Sequence, residues 1–225
     1  MTNGKTAIVT GGSSGLGRAL SAELVRAGWE VVIDGRDASA VHRSARLSGA
    51  VPFPGDVTDA NHRSGLLDRQ RVDLLVNNAG SLGQSPLPPL ESYPLDRLRA
   101  LFETNVVAPL ALIQAALPQL RTSGGSVVNL TSDAAVEAYE GWGGYGMSKA
   151  ALEHVNAVLA VENPGVRFWA LDPGDMRTRM HQDAYPGEDI SDRPAPEDVA
   201  PGFLRLLRER PPSGRIRLGD LAAVR

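Results

Sequence analysis

"KTAIVTGGSSGLGRAL", residues 5–20, starts as an apolar run, breaks into a glycine-rich turn and resumes with apolar residues at helical spacing. Leu16, Ala19, Leu20, Leu24 and Ala27 recur every three or four residues, and Gly28 follows where a left-handed C-terminal cap would sit, just before a second run, EVVID at 30–34. The order is strand, turn, helix, strand, which makes one βαβ unit. In such a turn Gly11 lets the chain leave the strand tightly, Gly15 lets backbone amides approach an anion, and Gly17 lets the helix pack closely. The helix N-terminus then faces whatever the turn holds.

Outward from this unit the alternation continues. Short runs at 50–53 (AVPF), 72–77 (VDLLVN), 126–131 (SVVNLT), 166–171 (VRFWAL) and 215–218 (RIRL) bring the expected strands to seven. Several are apolar at consecutive positions, as strands covered by helices on both faces are. Helical spacing marks 95–120, 145–161 and 197–209, with Pro109 expected to bend or interrupt the first of these. The expected fold class is α/β in three layers, a doubly wound, mostly parallel sheet of about seven strands with helices on both faces, spanning residues 1–225 as one domain. The stretch HQDAYPGEDISDRPAP at 181–196 is too polar and proline-broken for core; it is either a solvated connection or a lid over a pocket.

Composition narrows the function classes. A net charge of −3 creates no field for polyanions, so no nucleic-acid partner is expected. The chain has no cysteine, which excludes disulfides and thiolate metal sites, and no stretch with the layout of a signal peptide, so a cytoplasmic protein is expected. No apolar run approaches the ~18 residues of a membrane span. His42, His62, His154 and His181 show no paired ligand spacing. They read as surface or packing residues, and no metal is expected.

Glycine spacing carries more information than glycine count. The turn reads G-x-x-x-G-x-G, not the G-x-G-x-x-G of many dinucleotide-binding dehydrogenases. Preceded by Thr10, it resembles the TGxxxGxG of the short-chain dehydrogenase/reductase family, and further matches arrive in the family's order: GDVTD with Asp56 and Val57, NNAG at Asn77, Asn78, Ala79 and Gly80, FETNVVAP with Asn105, Ser132 after SVVNLT, YGMSK with Tyr145 and Lys149, and DPGDMRT with Pro173, Gly174 and Thr178. The resemblance covers roughly residues 4–218 and implies a Rossmann-like fold and a nicotinamide cofactor. It implies that Thr10, Gly11, Ser13, Ser14, Gly15, Leu16 and Gly17 hold the cofactor's phosphates, that Asp56 and Val57 meet adenine, and that Asn78, Ala79 and Gly80 support the adenosine side. Tyr145 and Lys149 would also touch the cofactor, while Pro173, Gly174, Met176 and Thr178 would meet the nicotinamide. It further implies a tyrosine acid/base at Tyr145, a cofactor-holding lysine at Lys149, a serine at Ser132 that bonds the substrate carbonyl, and a proton path completed at Asn105.

The chemistry can be argued from the residue types. Lys149 and Lys5 are the only lysines among 23 basic residues. Four residues separate Tyr145 from Lys149, which places both on one helix face. A free tyrosine has a pKa of about 10, so acting as a base near neutrality asks for a downward shift of roughly three units, which a nearby cation would supply in part. Lysine's compact charge reaches a phenol and a ribose hydroxyl where arginine's wider fork fits less well. The implied reaction is reversible hydride transfer between the cofactor and a carbonyl or alcohol of a small molecule.

Cofactor choice falls on VVIDGRD, where an acid selects NAD and an arginine meets the extra phosphate of NADP. Aligned on Gly28, Val31 and Val32, the acid's place is taken by Gly35; Asp34 is one residue early and Arg36 stands at the basic position. NADP(H) is expected, with NAD(H) as the alternative. Asp133, Glu137 and Glu140 follow Ser132 and either meet a polar or cationic substrate or face solvent; Tyr139, Trp142, Met147 and Tyr185 are candidate pocket walls. The chain stops soon after RIRLGDL, short of the family's longer tail, so the usual tetramer is in doubt and a homodimer through 95–120 and 145–161 is expected. A cofactor-binding regulator without turnover is the competing reading, and epimerisation or dehydration on the same fold a third; the intact serine, tyrosine and lysine oppose the first and the loop spacing opposes the second.

Overall fold

The computed structural model describes residues 4–221. Its seven strands are β1 (Thr6–Val9), β2 (Glu30–Ile33), β3 (Val51–Pro52), β4 (Leu74–Asn77), β5 (Ser126–Leu130), β6 (Arg167–Asp172) and β7 (Gly214–Arg217), each within two residues of its expected ends. All pair in parallel in the order β3-β2-β1-β4-β5-β6-β7. The chain starts at the centre, runs out to β3 and returns to β4 to build the other half. That reversal between β1 and β4 opens a crevice at the carboxyl edge of the sheet, where ligands of such folds bind.

The alternation of strand side chains explains the consecutive apolar runs. Ala7, Val9, Val31, Ile33, Leu74, Val76, Val128, Leu130, Trp169 and Leu171 face one core, with α1 (Gly15–Arg26), α2 (Ala38–Ser48) and α8 (Pro196–Glu209) over it. Ile8, Val32, Leu75, Val127 and Phe168 face the other, under α3 (Ala60–Leu66), α5 (Ala108–Ser123) and α6 (Gly143–Glu162). Helices α2 and α3, like the short ones at Arg179–Ala184 and Leu218–Leu221, have no counterpart in the apolar pattern. The first two begin on an aspartate whose side chain accepts first-turn N–H groups, Asp37 from Ala40 and Asp59 from Asn61 and His62.

Pro109 does not interrupt its helix as expected. Helix α4 (Leu95–Phe102) runs through a widened π turn, Glu103–Val107, into α5, giving 29 helical residues. The Ala108 N–H reaches back five residues to the Glu103 carbonyl, so the ladder has shifted register just before the residue that has no N–H to give. By length and apolarity this helix could cross a bilayer, contrary to the expectation that nothing here could; in the fold Leu112, Ile113, Ala116 and Leu120 lie buried in the second core. The π turn also holds Asn105, which is buried behind the crevice wall and bonded to the lining residue Ser81.

Candidate active site

A cavity of about 810 Å³ lies along that carboxyl edge. Nearly all the residues expected to touch a cofactor line it; Thr10 and Gly17 sit just behind. Thr10 locks the ends of β1 and β4 together, its hydroxyl donating to the Val76 carbonyl and accepting the N–H groups of Asn78 and Ala79 at 3.0 Å each. The Asn78 amide answers by donating to the Thr10 carbonyl at 2.8 Å. A Cβ on Gly17 would lie 2.4 Å from both Asn78 Nδ2 and the Gly11 carbonyl oxygen, so only glycine allows the helix to approach. Gly15 differs, with φ of +51° and nothing closer to an added Cβ than Thr178 Cγ2 at 3.7 Å. Its backbone is open to the cavity. Ser14 at the N-cap makes no side-chain capping bond and the first turn of α1 holds no acid, so the helix's leading N–H groups are left for an anion. These features fit a pyrophosphate.

At the end of β2 the two candidate selectors part company. Asp34 is fully buried; one oxygen accepts the Gly11 N–H at 2.7 Å and the other meets His62 Nε2 at 3.1 Å. Burial pushes its carboxyl up, against the opposing effect of His62 and the Gly11 N–H. It is a brace for the glycine turn, not a group turned toward a ribose. Arg36 is exposed on the cavity rim. Near it, Asp56 accepts the N–H and hydroxyl of Thr58 at 2.9 Å each. Burial works against its charge, but those bonds, Arg36 and His62 outweigh burial and hold the carboxyl below its ordinary range. His62, expected as surface or packing, is thus a working member of this end.

At the other end Ser132, Tyr145 and Lys149 line the same cavity, from the turn after β5 and the first turns of α6. Lys149 Nζ donates to the Leu130 carbonyl at 2.7 Å and lies 5.5 Å from the centre of the Tyr145 ring. Its burial lowers its pKa to about 8, partly offset by Glu153. A methyl on Gly80 would stand 3.8 Å from that nitrogen and 3.5 Å from Asn105 Oδ1, so the NNAG turn and the π turn meet the lysine here. Asn105 is buried; it accepts from Ser81 N–H and donates to the Ser81 carbonyl and the Ser148 hydroxyl, each at 2.9 Å. Behind it a buried amide chain runs from Asn77 to Asn129 to Asn156 and ties β4 and β5 to α6.

The expected downward pull on Tyr145 is not what the site produces. Burial pushes the phenol up, and Asp133 and Asp172 push it further. Loss of water and two carboxylates hold the phenol above its ordinary range, while the lysine is bonded elsewhere. Of the candidate walls Trp142 lines the cavity, edge-on to Tyr145 at 5.6 Å, with Tyr185 behind it at 5.9 Å. Tyr139 and Met147 are exposed and lie off the cavity. The polar stretch begins in α7 (Arg179–Ala184), whose Arg179, Met180 and His181 line the cavity; the stretch from 182 to 194 does not.

Arg215 went unnoticed in the sequence. From β7 it donates to Glu153 at 3.0 Å, to Asp172 at 2.9 Å and to the Ser132 carbonyl at 3.1 Å, while Thr131 donates to the same Glu153 oxygen at 2.6 Å. One guanidinium therefore joins the serine turn, the helix of Tyr145 and Lys149, and the end of β6. Only its pairing across strands, 83 residues from Ser132, reveals this.

Known proteins agree with this architecture. The short chain dehydrogenase family profile matches residues 5–189. Serine 3-dehydrogenase of Rhizobium radiobacter is 36% identical over 78% of this chain and 73% of its own. A short-chain dehydrogenase from Streptomyces avermitilis superposes with a TM-score of 0.84 at 31% identity, covering 98% of this chain and 90% of that one. An alcohol dehydrogenase from the archaeon Thermococcus sibiricus, solved with 5-hydroxy-NADP, gives 0.81 at 26% identity over 95% of each chain. With the glycine turn, the crevice and these relatives in agreement, the chain belongs to the short-chain dehydrogenase/reductase family of nicotinamide-dependent oxidoreductases.

Proposed function

We propose that the protein is an NADP(H)-dependent reductase of small carbonyl compounds, and a dehydrogenase of the matching alcohols, with Tyr145 as the acid/base. The observation that carries this reading is the meeting of Ser132, Tyr145 and Lys149 in the cavity that begins at an uncapped, acid-free helix N-terminus. When bound, a reduced nicotinamide supplies the hydride that the carbonyl carbon accepts. Tyr145, held protonated by burial and its two carboxylate neighbours, gives its proton to the carbonyl oxygen, and Ser132 orients that oxygen. Lys149, whose Nζ donates to the Leu130 carbonyl, would hold the ribose side and replace the phenol's proton. Preference for NADP(H) is supported by the pairing of Asp34 with Gly11 and His62, which withdraws the acid, and by Arg36 on the rim. A homodimer is supported by apolar side chains exposed on the long helices, Leu95 and Val107 on one and Val158 and Val161 on the other.

The test is turnover of NADPH with a panel of ketones and aldehydes. Tyr145→Phe should lower kcat by about 10²–10⁴-fold, and full activity in that variant would overturn the assignment. Arg36→Ala should weaken NADPH binding far more than NADH binding, and an equal loss for both would remove the cofactor preference.

A further inference from the structure

The cavity wall carries a carboxylate that forms no ion pair among the described residues. Asp133 follows Ser132 and lines the cavity. Its Oδ1 accepts from the Ser132 hydroxyl and the Ala134 N–H, each at 2.8 Å. Its Oδ2 lies 3.1 Å from the Tyr139 hydroxyl, which is also 2.7 Å from Glu137 Oε2. A phenol has one hydrogen to give. It can serve one of these carboxylates and not both, so a carboxylate oxygen at this partly exposed place is left for water or a ligand to donate to. Among the described residues no lysine, arginine or histidine forms an ion pair with either acid; Arg215 pairs with Glu153 and Asp172, and His181 and Arg193 with Asp175.

We propose that Asp133 seats a positive charge on the substrate, and that the enzyme acts on vicinal amino alcohols and the matching α-amino carbonyl compounds in their ammonium form. This rests on the oxidoreductase reading above. An ammonium brings three donors, enough to supply the missing hydrogen bond. It also competes for the carboxylate oxygen that now takes the Ser132 hydroxyl, which frees that hydroxyl to donate to the substrate oxygen. With Ser132 Oγ and Asp133 Oδ1 only 2.8 Å apart, an oxygen on one and a nitrogen on the other fit adjacent carbons. Trp142 lines the same cavity, and an indole is the ring that attracts a cation best. In reduction the carbonyl carbon would take hydride and its electron pair from the reduced nicotinamide, the C=O π pair would take the proton of the Tyr145 phenol, and the phenolate left behind would be reprotonated from the Lys149 side. The ammonium is unchanged, and oxidation is the reverse of these steps, starting from the deprotonated phenol.

Two alcohols of equal size, 1-amino-2-propanol and 2-butanol, separate the possibilities. Isothermal titration into the NADP⁺-loaded protein should show the amine binding at least about tenfold tighter. Steady-state kcat/KM should favour it by a similar factor. Asp133→Asn should cut both preferences about tenfold with NADPH affinity kept as the check on folding, and Glu137→Gln, further from the cavity, should cut them about threefold. Equal binding of the two alcohols, or a preference that survives both substitutions, would overturn the proposal. Preferential binding that Asp133→Asn abolishes, with no hydride transfer from either alcohol, would instead leave the cation seat standing and remove the oxidoreductase reading.

Discussion

Two carboxylates, at the ends of the neighbouring strands β5 and β6, press on the same phenol, and the chain treats them differently. Asp172, at the end of β6, is held by Arg215 at 2.9 Å, with Arg217 at 3.9 Å. Asp133, after β5, has hydrogen-bond donors but no basic partner among the described residues. Both raise the pKa of Tyr145. The difference teaches which charge is structural and which is available. A neutralised acid fixes a turn; an unneutralised one in a cavity is poised for something that arrives from outside.

The comparison is broken most strongly at the lysine between the two corners. Burial takes Lys149 from its ordinary 10.5 to about 8. Its folded value is the lower one, so from pH 8 to 10.5 the unfolded chain binds the extra proton and stability rises with pH. Relative to Lys149→Met, wild-type stability should climb by about 3 kcal/mol across that window, as read by urea unfolding; parallel curves would mean that the ammonium is not buried.

Next, Arg215→Ala turns the Asp172 corner into a second Asp133 corner. It should cost about 2 kcal/mol, because several bonds to charged groups are lost at a half-buried site. The phenol of Tyr145 should also move further up, and Arg215→Lys should restore part of the stability. Unchanged stability and an unchanged Tyr145 titration would show that the guanidinium is only a surface contact. At the far end of the cavity Asp34 is a third acid, compensated by His62. Asp34→Asn should weaken NADPH and NADH alike by about tenfold, through the loss of the charge-assisted bond to Gly11. A selective loss of one cofactor would make Asp34 a ribose ligand after all. The smallest change in stability belongs to Asp133→Asn, within about 0.5 kcal/mol, with the Tyr145 phenol moving down; a phenol that stays where it was would show that Asp133 exerts no field there.

What could be read in advance follows from the distance over which each feature is encoded. The strands were legible because each one's two faces bury into different cores, leaving apolar residues in a row, as at Ala7, Ile8 and Val9. Tyr145 and Lys149 were legible because one helical turn relates them. Pro109 was expected to bend or interrupt its helix; the regular ladder does give way just before it, but to a π turn that moves the register by one residue and keeps the run helical, which no local rule foretells. The missed helices α2 and α3 carry only eleven and seven residues, and their signals were the N-caps Asp37 and Asp59. Arg215, Glu153, Asp172 and Ser132 come from four elements, and no spacing rule links them before the sheet is built. The direction of the Tyr145 shift was misjudged for the same reason: Asp172 is 27 residues away in sequence, and Leu130, not the phenol, holds the lysine.

The central claim is that Tyr145 stands as a proton donor, held protonated by burial and two carboxylates. Ultraviolet difference titration of wild type against Tyr145→Phe, without cofactor, tests it most directly. The account predicts no phenolate from Tyr145 up to the ordinary tyrosine value of about 10. A titration step well below that value, present in wild type and absent from Tyr145→Phe, would contradict it.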